Sequence, residues 1–197
     1  MCKSFASTVL ASMVAAAPDF EFTSLGQFKV KGGAAFVNMS RFEEESDPFL
    51  LVSSFGMIES GKVYVVPGIK EALASGDATT LEPVLLDTAS FEWPNNVAVV
   101  PMDVFDERAI VVPDGFLVPT KKTGGIYIVR MDSSDITQTV ETVKITEHKR
   151  NYFYHNGYWV DLNGDGRKDF ITARSNAKKG KGELVWLEHP EGGLSSG

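Results

Sequence analysis

Short apolar runs separated by polar turns recur along most of the chain. Runs at 49–52, 109–112 and 170–173 are rich in β-branched and aromatic residues, which is typical of buried strands. Their spacing is about sixty residues, and each is accompanied by an earlier and a later run of the same kind. The pattern predicts an all-β protein built from repeated antiparallel units.

The flanking runs define the extent of each unit. The earlier runs lie at 35–38, 97–100 and 158–160, the later ones at 61–66, 125–129 and 182–186, and fourth runs at 82–86 and 141–145. Units of this length suit the four-stranded blades of a β-propeller. We predict blade 1 at about 33–88, blade 2 at about 95–147 and an incomplete blade 3 at about 156–197.

Three blades are too few to close a propeller, which needs at least about four. We therefore predict a partial propeller that is a fragment of a larger one, or an open stack completed by missing blades or by another chain. Residues 20–25 resemble an outer strand of a preceding blade.

Composition and charge narrow the classes of partner. The chain is 43 % hydrophobic with a net charge of -7, which fits a globular β domain and argues against nucleic acid, because phosphate-binding domains present basic faces. No run of eighteen or more apolar residues predicts a membrane span. Cys2 is the one cysteine, so an intrachain disulfide is excluded.

One loop carries oxygen-bearing side chains at alternating positions. Asp161, Asn163, Asp165 and Asp169 occupy its positions 1, 3, 5 and 9, and the backbone carbonyl of Arg167 is available at position 7. The intervening glycines let the chain wrap tightly around an ion. Because Ca²⁺ takes about six to eight oxygen ligands, these five residues form a predicted calcium site. The alternative is a solvated turn without metal.

The residues around this loop argue against two other kinds of calcium loop. An EF-hand needs Glu at loop position 12 and flanking helices, but Thr172 stands there. A dockerin-type loop needs a following helix, whereas 176–182 is a polar turn. We therefore place the loop between two strands. The equivalent loops of the first two copies lack this pattern and are predicted to be solvated turns.

The stretch from Trp159 to Ile171, followed by residues 182–186, resembles an FG-GAP/VCBS repeat, the blade unit of integrin-α-type β-propellers. In that family the loop joins the first two strands of a blade and binds calcium through residues at these positions, and each of those positions is matched here. The resemblance implies a structural Ca²⁺ in a recognition or cell-adhesion module with a protein or glycan ligand.

The N-terminal segment bears on localisation. Residues 1–17 are mildly apolar and end in small residues, which is typical of a secretory signal peptide, and the blades would then occupy 18–197. Serines and a threonine dilute the apolar region, so a strand or helix of the fold is the alternative. Extracellular modules can use weak calcium sites. We therefore predict a secreted, extracellular protein.

The resemblance also leaves a catalytic alternative. Similar propellers occur in secreted polysaccharide lyases and sugar dehydratases, where His, Tyr or acidic residues transfer protons. Tyr154 and His155 are the candidates for that role here. Packing between blades is the competing interpretation for both. We favour a noncatalytic recognition role.

Overall fold

The computed structural model describes residues 22–86, 88, 90–115, 123–147, 149–176 and 180–193, and these residues form three antiparallel sheets. The predicted all-β class is confirmed. No sheet among the described residues closes on itself, and they do not form a complete propeller ring.

Each sheet is a meander, because strands that follow each other in sequence also pair with each other. The first sheet contains β1 (Gly33–Ser40), β2 (Phe49–Phe55), β3 (Lys62–Val66) and β4 (Val84–Leu85). The second contains β5 (Ala98–Val99), β6 (Ala109–Asp114), β7 (Thr123–Met131) and β8 (Thr139–Lys144), and β9 (Lys149–Arg150) also pairs with β7. The third contains β10 (Tyr152–Val160), β11 (Asp169–Asn176) and β12 (Lys181–Leu187).

The second sheet lies between the other two, as the alternation along β6 shows. Ile110 and Val112 pack with residues of β2 and β3, whereas Ala109 and Val111 pack with Phe170 and other residues of the third sheet. Successive strand residues point to opposite faces, so a strand buried on both faces needs apolar residues at every position. This explains why the run at 109–112 is continuously apolar.

The two outer sheets differ in what covers their outward faces. The outward face of the first sheet packs against α1 (Ile69–Ser75) and the segment around a 3-10 helix (Ala78–Thr80), with Ile69, Ala72 and Leu81 filling the contact. In contrast, the outward face of the third sheet exposes Tyr158, Leu184 and Trp186. The stack is therefore capped at one end and open at the other.

Three sequence expectations need correction or lie outside the structure. Residues 22–25 of the expected outer strand are not in a strand, because the segment 22–30 instead runs irregularly and packs Phe28 and Val30 onto the first sheet. The third sheet begins earlier than expected, at Tyr152, since β10 extends through the aromatic run before residue 156. The expected signal peptide, 1–17, lies outside the described residues. No helix in the described ranges is long and apolar enough to cross a membrane.

Candidate calcium-binding loop and the contacts between sheets

The predicted calcium loop connects β10 to β11, as the sequence analysis expects. The last ladder pairs before it are Trp159 with Phe170 and Val160 with Asp169. Within the loop, Gly164 and Gly166 have φ values of 78° and 86°. Residues with a side chain rarely adopt this left-handed conformation, so the two glycines allow the tight path of the loop.

Asp161 organises the loop through its carboxylate. Its Oδ1 accepts hydrogen bonds from the backbone N–H groups of Gly164 (2.7 Å) and Asp165 (3.2 Å), and its Oδ2 accepts one from Gly166 (2.9 Å). Three N–H groups therefore converge on one exposed side chain. These hydrogen bonds fix the position of the carboxylate within the loop.

Asp169 is the buried member of the predicted ligand set. It is fully inaccessible to solvent, although it is an ionisable residue at the start of β11. Its Oδ1 accepts a hydrogen bond from the backbone N–H of His189 (2.9 Å), and its Oδ2 accepts one from Leu162 (3.3 Å). Asp169 thus joins the start of the loop to the segment after β12.

Asp165 accepts hydrogen bonds from other residues of the same loop. Its Oδ1 accepts a hydrogen bond from the Arg167 backbone N–H (2.9 Å), and its Oδ2 accepts bonds from the Arg167 guanidinium and from Asn163 Nδ2. The Arg167 backbone N–H lowers the pKa of Asp165. Asn163 also donates to Glu188 (3.0 Å). The Arg167 guanidinium therefore occupies one oxygen that a cation would need.

The loop residues suit a hard cation by their chemistry. Asp161, Asn163, Asp165, Asp169 and the Arg167 carbonyl offer oxygen donors only, and a carboxylate oxygen that accepts one hydrogen bond retains a lone pair for another partner. In the part of the chain that the structure describes, no group of three or more His, Cys, Asp or Glu side chains is arranged to hold a metal. The donors fit Ca²⁺, but their carboxylates are not gathered around one point.

Two contacts tie the loop to the second sheet. Lys168 Nζ lies 2.6 Å from Oδ2 of Asp103, a residue of the loop between β5 and β6. His189 Nε2 lies 3.1 Å from the carbonyl oxygen of Val104 in the same loop. The first and second sheets are joined in the same way, because Arg108 lies 3.4 Å from Glu43 in the loop between β1 and β2. Both ion pairs span 65 residues. The first hairpin loops of the three sheets thus form one continuous surface.

A chain of asparagine amides connects β1, the segment just before β5, and β10, and so links the three sheets. Asn38 Nδ2 donates to Asn96 Oδ1 at 3.0 Å, and Asn96 Nδ2 donates to Asn156 Oδ1 at 3.0 Å, across separations of 58 and 60 residues. Asn38 also donates to the Val97 carbonyl (3.0 Å). The pattern of strands and turns alone does not predict this chain of amides. Its signal is the repeat period, because the three asparagines recur with the strands.

Asn95 makes a second contact between sheets and is buried. Its Nδ2 donates to the carbonyl of Gly115 (2.8 Å), which directly follows β6 of the second sheet, and to that of Tyr154 in the third sheet. Nothing in the local sequence pattern separates Asn95 from its partly buried polar neighbours Glu92 and Asn96. It became recognisable as a core residue only in the folded structure.

The catalytic candidates Tyr154 and His155 lie on opposite faces of β10. Tyr154 is buried in the core between the second and third sheets, and Arg174 NH1 donates to its hydroxyl at 3.5 Å. His155 is exposed, and its ring contacts Phe153 edge-on at 5.1 Å between centroids. The structure therefore does not bring the two side chains to one site.

These features define a class: an all-β protein of three packed antiparallel meanders, with an aspartate-rich loop between the first two strands of the third. No protein-family model matches the chain, and neither a curated protein nor a solved structure is significantly similar to it. The geometry of the loop and of the sheet contacts is therefore the basis for any functional proposal.

Proposed function

We propose that the chain is a calcium-binding recognition and adhesion module built from propeller-type blades, in which the cation is structural. The observation that carries the proposal is the loop between β10 and β11, where oxygen donors alternate along a glycine-bent turn and the three carboxylates all accept hydrogen bonds from backbone N–H groups. Asp161, Asn163, Asp165, Asp169 and the Arg167 carbonyl would hold the ion.

The cation would supply attraction between groups that otherwise repel each other. Three carboxylates within one short loop interact unfavourably, and a divalent ion reverses the sign of that interaction. A ligand present at a hundredfold excess over its Kd stabilises the folded state by about 2.7 kcal/mol. Because Lys168 and His189 contact the neighbouring loop, that stabilisation would extend to the junction with the second sheet.

Recognition is proposed for the surface formed by the three first-hairpin loops. Ion pairs between neighbouring sheets hold these loops to each other. A surface fixed in advance loses less conformational entropy when it binds a partner, which favours a binding role. We propose a protein or glycan ligand, an extracellular location, and a propeller completed by further blades or by another chain.

Isothermal titration with CaCl₂ tests the metal site. The unaltered chain should release or absorb heat on binding, and Asp165→Asn should weaken binding at least tenfold because it removes one of the ligand charges. Asp132→Asn is a matched control, since Asp132 also caps an exposed turn and accepts hydrogen bonds from Ser134 and Asp135. The proposal is wrong if no heat is seen, or if both variants change binding equally.

A further inference from the structure

The outward face of the third sheet is equivalent to a face that is covered by a neighbouring sheet in each of the other two sheets. Ile171 pairs with Trp186 just as Val111 pairs with Ile128 and Leu51 with Val65. Val65 and Ile128 are 0 % and 3 % exposed because the next sheet in chain order covers them. Trp186, at the equivalent position, is 50 % exposed.

The neighbours of Trp186 show the same difference. Leu184 occupies the position that Ile126 has in the second sheet, and it is 77 % exposed where Ile126 is completely buried. Tyr158, across β11 from Trp186, is also exposed. Three large apolar side chains on one sheet face are more than the isolated exposed residues that a protein surface normally carries.

Sheet-to-sheet contacts in this molecule follow one rule. At each contact, the sheet that comes later in the chain contributes an apolar residue of its second strand. This residue is Ile110 where the second sheet meets the first, and Phe170 where the third sheet meets the second. The later sheet also contributes a cation beside that strand, Arg108 or Lys168, which pairs with an acidic residue in the first loop of the preceding sheet.

The third sheet carries on its open face the features that the earlier sheet contributes to each of these contacts. The loop position equivalent to Glu43 and Asp103 is Asn163, which lies two residues from the exposed Asp161 and two residues from Asp165, whose carboxylate is partly covered by Arg167. Its first strand also carries Asn156, the last asparagine of the amide chain. The open face therefore combines exposed apolar side chains, an acidic loop and an asparagine amide in the first strand.

We propose that the open face of the third sheet docks a fourth antiparallel sheet of the same repeat, with an apolar second strand and a Lys or Arg that meets the calcium loop. This inference rests on the repeat architecture of the proposed function but not on its cation. A head-to-tail second copy does not fit the role, because α1 and Leu81 cover the outward face of the first sheet.

A chain extended by one repeat tests the proposal. A second copy of residues 90–147 is appended to the full chain in a Cys2→Ser background, and Leu184→Cys reports access to the open face through its rate of reaction with a thiol reagent. The extension should slow labelling at least tenfold. Leu73→Cys on α1, which is 61 % exposed at the capped end, should label at the same rate with or without the extension.

Two further measurements separate docking from its alternatives. Ile110→Asp in the appended copy alone should restore fast labelling, and protection that survives this change contradicts the proposal. In the unextended chain, the Leu184→Cys labelling rate should not depend on protein concentration, because concentration-dependent protection would make a second copy the occupant and overturn the inference.

The proposal remains testable if the appended repeat fails to fold. In the unextended chain Trp186→Glu should then leave the cooperative unfolding transition in place, whereas Ile128→Glu should abolish it. Loss of folding with Trp186→Glu would show that Trp186 belongs to a completed core rather than to a docking face. The calcium titration is independent of these measurements, so failure of the cation site and failure of docking give different results.

Discussion

Substitution of Asn95 by alanine tests the proposed basis of sheet-to-sheet packing. Asn95 is 2 % exposed, and its Nδ2 donates to the carbonyl of Gly115, directly after β6 of the second sheet, and to that of Tyr154 in the third sheet. Alanine leaves both carbonyls without this donor in a site closed to water. A buried polar group that loses its partner costs about 1–3 kcal/mol. We expect Asn95→Ala to lower the free energy of unfolding by about 2–4 kcal/mol.

The assay is urea unfolding followed by far-UV circular dichroism. Asn96→Ala is the matched control, because Asn96 is a neighbouring asparagine that also joins sheets but is only partly buried. Water can replace its lost partners, so we expect a loss of about 0.5–1.5 kcal/mol. The slope of the unfolding free energy against urea should stay constant, since the surface exposed on unfolding is unchanged.

An aspartate at the same position sharpens this test. Asn95→Asp keeps the shape of the side chain but faces two carbonyl oxygens with a carboxylate, so it should destabilise the fold more than alanine at pH 7. The deficit should shrink near pH 4, where a protonated carboxyl can donate one hydrogen bond. Equal losses for Asn95→Ala and Asn96→Ala would refute the assignment of Asn95 as a buried link between the sheets.

Three other perturbations have expected outcomes. Burial raises the pKa of Asp114 to about 6, although hydrogen bonds from the Trp93 and Glu92 N–H groups act in the opposite direction. The carboxyl group therefore binds a proton more tightly in the folded state than in the unfolded state. The free energy of unfolding should fall as pH rises from about 4 to about 6. On the order of 2–3 kcal/mol should be lost across that window, and urea midpoints that are flat with pH, or that parallel those of Asp114→Asn, would contradict this reasoning. Gly157→Ala should destabilise the third sheet by about 1–3 kcal/mol in thermal unfolding, because an added Cβ would lie 2.1 Å from Cζ of Phe170; an unchanged Tm would show that the ring moves freely. Arg167→Ala should tighten Ca²⁺ binding by about three- to tenfold in a calorimetric titration, because it removes the guanidinium from Asp165 and keeps the backbone carbonyl at position 167. Weaker binding by this variant would mean that the arginine side chain supports the site.

The strands were predictable because their physical cause is local. Runs such as 109–112 and 170–173 are apolar or β-branched at successive positions, which favours strands, and each lies within an observed strand. The loop between β10 and β11 was also predictable as a strand-to-strand turn, since its glycines and flanking β-branched runs specify one. Calcium binding by that loop stays a prediction.

The helix α1 was not predicted, because its seven residues carry only two buried apolar side chains, too few for a visible helical period. Its boundaries had a signal in Gly68 and Gly76, which both adopt the left-handed conformation at its ends. The amide chain of Asn38, Asn96 and Asn156 is legible only after the repeats are aligned, since each asparagine alone is typical of a turn.

The pairing of Arg167 with Asp165 was beyond sequence reasoning for a different reason. It depends on which rotamer a long side chain adopts over an exposed loop, and the alternating pattern of donors is the same whether the guanidinium contacts Asp165 or points into solvent. The open face of the third sheet was equally hidden, because Tyr158, Leu184 and Trp186 have the same sequence pattern as buried strand residues.

Hydrogen exchange of the backbone amides, measured in Ca²⁺ and in a chelator, tests the central claim most directly. The account predicts that Ca²⁺ slows exchange at Leu162, Gly164, Asp165 and Gly166, whose N–H groups hold the ligand carboxylates, and at the neighbouring loop around Val104. The capped end near Ile69 should exchange at the same rate in both conditions. Identical exchange at the loop with and without Ca²⁺ would contradict the account.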